Sequence, residues 1–323
     1  MDGTPPVARR EHVILAIGLL CGVYYVLDAL TNQQTDLIVA ALVILGCRAL
    51  VDGRNWSAGL AFGLAAGIKC TPLLWLCYLL WRRRWGAALM VPVVAVGINL
   101  IPDLTYPSSA SRFQEWESRF LLPMTHQQHD MGSWVSSVRS NHSLTGLYYR
   151  TMTWDASGDQ IPSSDRFSPQ TLRAVGFASM SLFVVAALVC TWKRAIPQPD
   201  EPEPMSLEFG LVLILMVLLS PASSKPHFCT LLLPGFCLAR VAIRRPNRLL
   251  WVLLLAAITC GLVSNKDLVG RRVYDWVLWH GSVTLNAIFL FAGCCLALLS
   301  RPRSVAVLAD PAPQEMQTSR RAA

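Results

Sequence analysis

Charge is what this chain lacks. Only 15% of its 323 residues are Asp, Glu, Lys or Arg, against about 25% in soluble globular domains. With 53% hydrophobic residues and a mean hydropathy of +0.42, an ordinary water-soluble domain is excluded. Matched cysteine motifs are lacking too. The ten cysteines lie in or beside apolar runs and no CxxC finds a partner, so small-residue packing accounts for them better than disulfides or metal. No Gly-x-Gly-x-x-Gly follows a strand-like run, which removes the common dinucleotide fingerprint. No A-x-A-like cleavage site follows the first apolar run, so residues 13–30 read as an uncleaved signal anchor. The net charge of +8 and pI near 9.1 do not signal nucleic acid. The basic residues sit at the ends of apolar runs, where they set membrane orientation.

What the chain has instead is apolar length. Ten helical segments follow one another, at 13–30, 37–51, 57–68, 73–81, 85–101, 173–192, 207–219, 228–243, 249–263 and 282–299. Several reach or approach the roughly 17–25 residues that cross a bilayer. The expected fold is an all-α, multi-spanning membrane bundle of about ten helices. It forms a single transmembrane domain over residues 1–300, with one long outer loop at 102–172 and a disordered cytoplasmic tail at 301–323. Lysine and arginine in the short loops put both termini on the cytoplasmic side of a plasma membrane.

Residues 57–81 allow two readings. As one span they bury Lys69 at mid-membrane and send Arg82, Arg83 and Arg84 outside. As two short helices meeting at Lys69 they keep these charges at the interfaces, and this reading is preferred. Gly59, Gly63 and Gly67 recur every fourth residue. That spacing leaves one helix face bare for close approach of another helix.

With this topology the motif-like polar turns gather on the outer side. In residues 218–228, Pro221 and Pro226 enclose Ser223, Ser224 and Lys225, and His227 follows directly. Proline stops the helix, and irregular polar backbone near membrane depth belongs in protein or along a wet cavity. A plain polar hairpin is the alternative. Residues 111–122 place Phe113, Trp116 and Phe120 on one helix face, with Glu115 and Arg119 four apart on the other. This predicts a helix in the interface plane or packed over the bundle top. His126, His129 and Asp130 look metal-like, but spacing fixes no third ligand, so no metal or other cofactor is expected. Residues 140–150 mix amide, imidazole, hydroxyl and guanidinium groups, including Asn141, His142 and Arg150. The inventory suits a sugar or phosphate, and equally a structured loop. Residues 264–281 read as a polar loop.

Four stretches carry a family resemblance. Gln33-Gln34-Thr35-Asp36 looks like a Gly-Gln-x-Asn/Asp motif opening a span, with Gln33 where glycine is usual. Ile68-Lys69-Cys70-Thr71-Pro72, followed by Arg82-Arg83-Arg84-Trp85, looks like a Lys-x-x-Pro and Arg-Arg-Trp pair. Asn141-His142-Ser143-Leu144-x-Gly146 is similar to Asn-Gln-Ser-Leu-x-Gly, with His142 replacing glutamine. Ser220-Pro221-x-Ser223 precedes His227 as in a Ser-Pro-x-Ser turn. The chain thereby resembles the membrane glycosyltransferases of family 87, which include polyprenol-phosphate-mannose-dependent mannosyltransferases with the GT-C fold.

The resemblance implies transfer of a hexose, mannose foremost, from a polyprenyl-phosphate donor to an acceptor at the outer face. Membrane lipids would be the other partners, and nucleic acid would not. Lys69, Lys225, His227 and Ser224 would meet the donor phosphate as its charge builds, with Arg271 and Arg272 as alternates. Gln34, Asn141, His142 and Arg150 would bind substrate. A carboxylate must take the acceptor proton; Asp36 is the acid inside a recognised motif, followed by Asp103 and Asp130. One family feature has no counterpart here. Only one span precedes Gln34, whereas GT-C enzymes take their catalytic carboxylate from an earlier outer loop. The chain would then be truncated, rebuilt at its site, or inactive. A lipid-linked sugar transporter or flippase is the rival reading.

Overall fold

The computed structural model of the protein describes residues 7–106, 111–122, 140–152, 168–192 and 202–300. Among them the chain is helical and has no strands. In order the helices are α1 (Val7–Thr31), α2 (Asp36–Val51), α3 (Asn55–Ile68), α4 (Leu74–Trp81), α5 (Trp85–Thr105), α6 (Arg112–Trp116), α7 (Leu144–Met152), α8 (Pro169–Trp192), α9 (Pro202–Leu218), α10 (Leu232–Arg244), α11 (Arg248–Val263), α12 (Lys266–Trp279) and α13 (Ser282–Leu299). Short 3-10 turns, Thr71–Leu73 and Lys225–Leu231, lead into α4 and α10, and a π turn, Glu117–Leu121, continues α6. Five of these helical stretches are long and apolar enough to cross a membrane, and the bent pair α11–α12 passes the same test only when its two helices are taken together. The chain is an all-α membrane protein. The metal-like residues His126, His129 and Asp130 and the tail at 301–323 lie outside the described residues.

The bare face of α3 does what its spacing predicts. A Cβ on Gly59 would stand 2.7 Å from the Ala87 carbonyl oxygen, and one on Gly63 3.0 Å from that of Val91. Gly67 meets Ile98 in the same way. The partners advance by four along both helices, so α3 and α5 run parallel. Parallel neighbours need a return between them, and the turn at Lys69 with α4 supplies it. Lys69 is extended, with φ −149° and ψ 127°, and Pro72 sits in the turn that follows. Residues 57–81 are therefore two short helices meeting at Lys69, and Arg82–Arg84 return to the end where α3 began.

One helix joins two cores. Leu207, Leu211 and Ile214 of α9 pack with α1, α10, α11 and α13, while Phe209, Val212 and Leu213 pack with α2 to α5. In the second core Trp75 stacks on Phe62 at 4.3 Å between ring centroids and tilts against Phe209 at 5.6 Å. In the first, the Asn286 amide of α13 donates to the carbonyls of Ala257 (2.9 Å) and Cys21 (3.3 Å). That ties three helices where water cannot compete.

Two regions differ from the expectations. Arg82 was expected among the solvated charges that mark a membrane side. It is buried, and its guanidinium forks onto the Glu208 carboxylate while donating to the Thr191 carbonyl at 3.1 Å. Tyr78 Oη donates to the same carboxylate at 3.0 Å. Glu208 opens an apolar run, and nothing local in the sequence pairs it with an arginine 126 positions away. Residues 264–281 are not a loop but mostly the helix α12, turned 92° from α11. Asn265 caps it by accepting from the Asp267 N–H at 2.9 Å. Its charges lower the hydropathy that marks a span, and a break at Gly270 (φ 75°, ψ 158°) interrupts its periodicity. Leu268, Val273 and Trp276 are exposed along it, as suits a helix lying in an interface. The amphipathic stretch at 111–122 is helical as expected, with Arg119 and Glu115 paired at 2.7 Å.

Candidate active site

At the end of the bundle opposite Arg82 lies a cavity of about 1240 Å³. Three irregular segments build its polar side: the turn after α1, the turn at Lys69, and residues 219–227. In the first, Gln33 holds φ 52°, a left-handed value that favours glycine. That is the position where the resembled motif carries glycine. Gln34 follows on the cavity wall.

Each lysine at the cavity is matched to an aspartate. Lys69 Nζ lies 2.7 Å from Asp36 Oδ1. Asp36 heads α2, where the helix N-terminus favours negative charge. It is only 3% exposed and stands behind Lys69, off the cavity wall, with its Oδ2 unpartnered. Lys225 Nζ lies 3.4 Å from Asp28 Oδ1 and 5.4 Å from the centre of the Tyr274 ring.

The turn at 219–227 holds itself in shape. Ser224 Oγ and His227 Nδ1 are 2.7 Å apart, and the Ser224 N–H reaches the same nitrogen at 3.1 Å. With Nδ1 engaged, Nε2 is the ring nitrogen left for the cavity that His227 lines.

His142 enters from the 140–152 segment. Its backbone N–H donates to the Ser223 carbonyl at 2.7 Å, and its own carbonyl accepts from Thr284 Oγ1 at 2.7 Å. His142 lines the cavity, yet its Nδ1 has no partner. Burial foremost, then the positive charge of Arg150 and Lys225, pushes its pKa down to about 3. His142 is therefore a neutral imidazole near pH 7.

Of the residues expected at a site, Gln34, Lys69, His142, Ser224, Lys225 and His227 come together on this one cavity. Asn141 and Arg150 do not reach it. Asn141 Oδ1 accepts the N–H groups of Ser143 and Ser223, each at 3.1 Å, and its amide donates to the Pro221 carbonyl at 2.9 Å. Arg150 is buried and donates to the backbone carbonyls of Asn141 and Trp279. Both residues clip the 140–152 segment onto the 219–227 turn and the end of α12. Gly146 is part of the same clip, because a Cβ there would meet the Asn141 carbonyl oxygen. Asp103 lies away from the cavity, accepting from Ser111 Oγ and the Arg112 N–H at the start of α6.

Sequence reasoning missed Asp28 and Asp275, two carboxylates on the cavity wall. For Asp28 a signal was present. It is a lone acid inside an apolar run, and such residues face a protein interior or a wet cavity. The rest of the wall is largely apolar, with Leu215 and Met216 from α9 and Leu219 just after it. Cations and hydrogen-bonding groups over an apolar wall suit an amphiphile with an anionic head.

Comparison with known proteins agrees with this chemistry. Over 280 residues the chain is 24% identical to the polyprenol-phosphate-mannose-dependent alpha-(1-2)-phosphatidylinositol mannoside mannosyltransferase of Mycobacterium tuberculosis. The alignment covers 85% of this chain, which spans 58% of that relative's length. No solved structure gives a significant match. The sequence pattern of glycosyltransferase family 87 matches residues 4–221, about two thirds of the chain and the part that carries α1 to α9 and most of the cavity, and the protein belongs to that family.

Proposed function

We propose that this protein transfers a hexose, mannose foremost, from a polyprenyl-phosphate donor to an acceptor at the outer face of the plasma membrane. The observation that carries this is the convergence of Lys69, Lys225, Ser224 and His227 on one cavity with an apolar wall. A lipid-linked donor carries its leaving group as a phosphodiester. When the sugar departs, negative charge builds on that phosphate, and fixed cations and donors beside it lower the barrier. Lys69 and Lys225 supply the charge, and Ser224 with His227 supplies directed hydrogen bonding. The apolar wall accommodates the first isoprene units. Asp36 holds Lys69 in place, and Gln34 with neutral His142 offers hydrogen bonds to sugar hydroxyls. The named specificity of the mycobacterial relative supports mannose as donor sugar. The positive-inside pattern of the short loops supports a multi-pass arrangement with both termini cytoplasmic.

The test is transfer of labelled mannose from polyprenyl-phosphate-mannose by the purified protein in proteoliposomes. Transfer that is abolished by Lys225→Ala, with protein level unchanged, is the expected result. Donor crossing the bilayer without glycosylated product overturns the proposal in favour of a flippase.

A further inference from the structure

Glycosyl transfer needs a carboxylate on the cavity wall to take the acceptor proton. Three aspartates stand at or beside the cavity. Asp36 is 3% exposed, gives Oδ1 to Lys69 and lies behind the wall. Asp275 lines the cavity from α12, which is broken at Gly270 and exposes much of its surface. Asp28 also lines the cavity, with its side chain 25% exposed, and it stands one turn before the end of α1. Around it α1 is closely packed. A Cβ on Gly22 would stand 3.1 Å from the Leu232 backbone nitrogen, and Tyr25 meets Phe228 at 5.8 Å. A base must be held to within fractions of an ångström to be effective, and Asp28 joins access to the cavity with the more closely packed mount.

We infer that Asp28 is the catalytic base, held in position by Lys225 across the 3.4 Å between Nζ and Oδ1. The assignment rests on the glycosyltransferase reading above. The acceptor hydroxyl oxygen attacks the anomeric carbon of the donor sugar and forms the new glycosidic bond. The bond from that carbon to the phosphate oxygen breaks, and its electron pair leaves with the polyprenyl phosphate beside Lys69 and His227. The hydroxyl proton passes to the Asp28 carboxylate, which later releases it to water. Lys225 thus serves both halves of the site, fixing the base on one side and facing the donor on the other.

The experiment compares Asp28→Asn with the wild-type chain in the proteoliposome assay, with polyprenyl phosphate binding measured in parallel. Monodisperse elution and an unchanged melting temperature establish that the variant is folded. A general base contributes about 10²- to 10⁴-fold, so kcat should fall at least about 100-fold. The dissociation constant for polyprenyl phosphate should change far less than kcat, because Lys225, released from Asp28, still lies over the Tyr274 ring. Transfer should be partly restored in Asp28→Glu. Three results overturn the assignment alone: wild-type transfer that survives in Asp28→Asn, a loss confined to KM and phosphate affinity, or a larger kcat loss in Asp275→Asn. Absence of transfer by the wild-type chain overturns the function reading, and the assignment with it.

Discussion

Lys69 Nζ and Asp36 Oδ1 stand 2.7 Å apart, although 33 positions separate them in the chain. The contact fastens the turn between α3 and α4 to the first residue of α2. Both residues come from short motifs that are read separately in the sequence, and the pairing shows that they build one wall.

Asp36→Asn should loosen that wall. Breaking a buried pair by removing one partner costs about 3–5 kcal/mol, but Lys69 keeps a side-chain exposure of 24%. A loss nearer 2 kcal/mol is expected after that screening. The melting temperature in detergent measures it. Donor affinity should fall as well, because a released Lys69 is no longer aimed at the cavity.

A second pair at the opposite end should matter more for folding and less for function. Arg82 and Glu208 are both buried, and Tyr78 and Thr191 join the cluster. Glu208→Gln leaves a guanidinium without its counter-charge, for which about 3–5 kcal/mol is expected. The double substitution Arg82→Met with Glu208→Leu should recover most of it, because the desolvation cost of both charges disappears together. Thermal unfolding of the wild-type chain and the two variants decides the matter.

The glycine face of α3 gives a size-dependent prediction. Gly59→Ala forces a methyl to within 2.7 Å of the Ala87 carbonyl oxygen and 2.9 Å of its Cα, and backbone atoms cannot rotate away. Overpacking of this kind costs about 1–3 kcal/mol. Gly97 of α5 has nothing within 4 Å of the same position. Gly97→Ala should therefore be neutral or slightly stabilising, since it removes only backbone freedom. Melting temperatures of the two variants, measured side by side, give the contrast.

Much of this was legible in the sequence. The four-residue glycine period and the Lys69-to-Pro72 break specify the α3–α4 hairpin, because both act through the local backbone. The cations of the cavity were legible for the same reason: each sits in a short polar turn between apolar runs. Asn141 and Arg150 show the limit. Their side chains have the inventory of a sugar site, but donors and acceptors do not name their partners, and here the partners are the backbone of a neighbouring turn. Asp28 and Glu208 were overlooked because each is a single acid whose surroundings are apolar in sequence. α12 was overlooked because its charges mask a helical period that Gly270 also interrupts.

His142 makes stability depend on pH in one direction. Its folded pKa of about 3 lies below the ordinary value of 6.5. Between these values the unfolded chain binds the proton and the folded chain does not, so acid favours unfolding. The contribution is complete above about pH 6.5 and is lost as pH falls toward 3. From pH 7 to pH 5 this amounts to about 2 kcal/mol. His142→Gln, which places the residue usual in the resembled motif, should flatten that part of the melting-temperature profile. Circular dichroism melts across pH 5–7 provide the check.

The pairing of Asp28 with Lys225 and Asp36 with Lys69 has a further consequence, one of selectivity. Two positive charges already balanced by two negative ones make the empty cavity a weak attractor for anions at large. Inorganic phosphate entering it gains little, since each lysine it meets is shared with a carboxylate. A ligand that also lays an apolar chain along Leu215, Met216 and Leu219 gains about 25 cal/mol for each Å² it removes from water. The compensated charges thus act as a filter, admitting a phosphate that arrives attached to lipid in preference to the same phosphate free in solution.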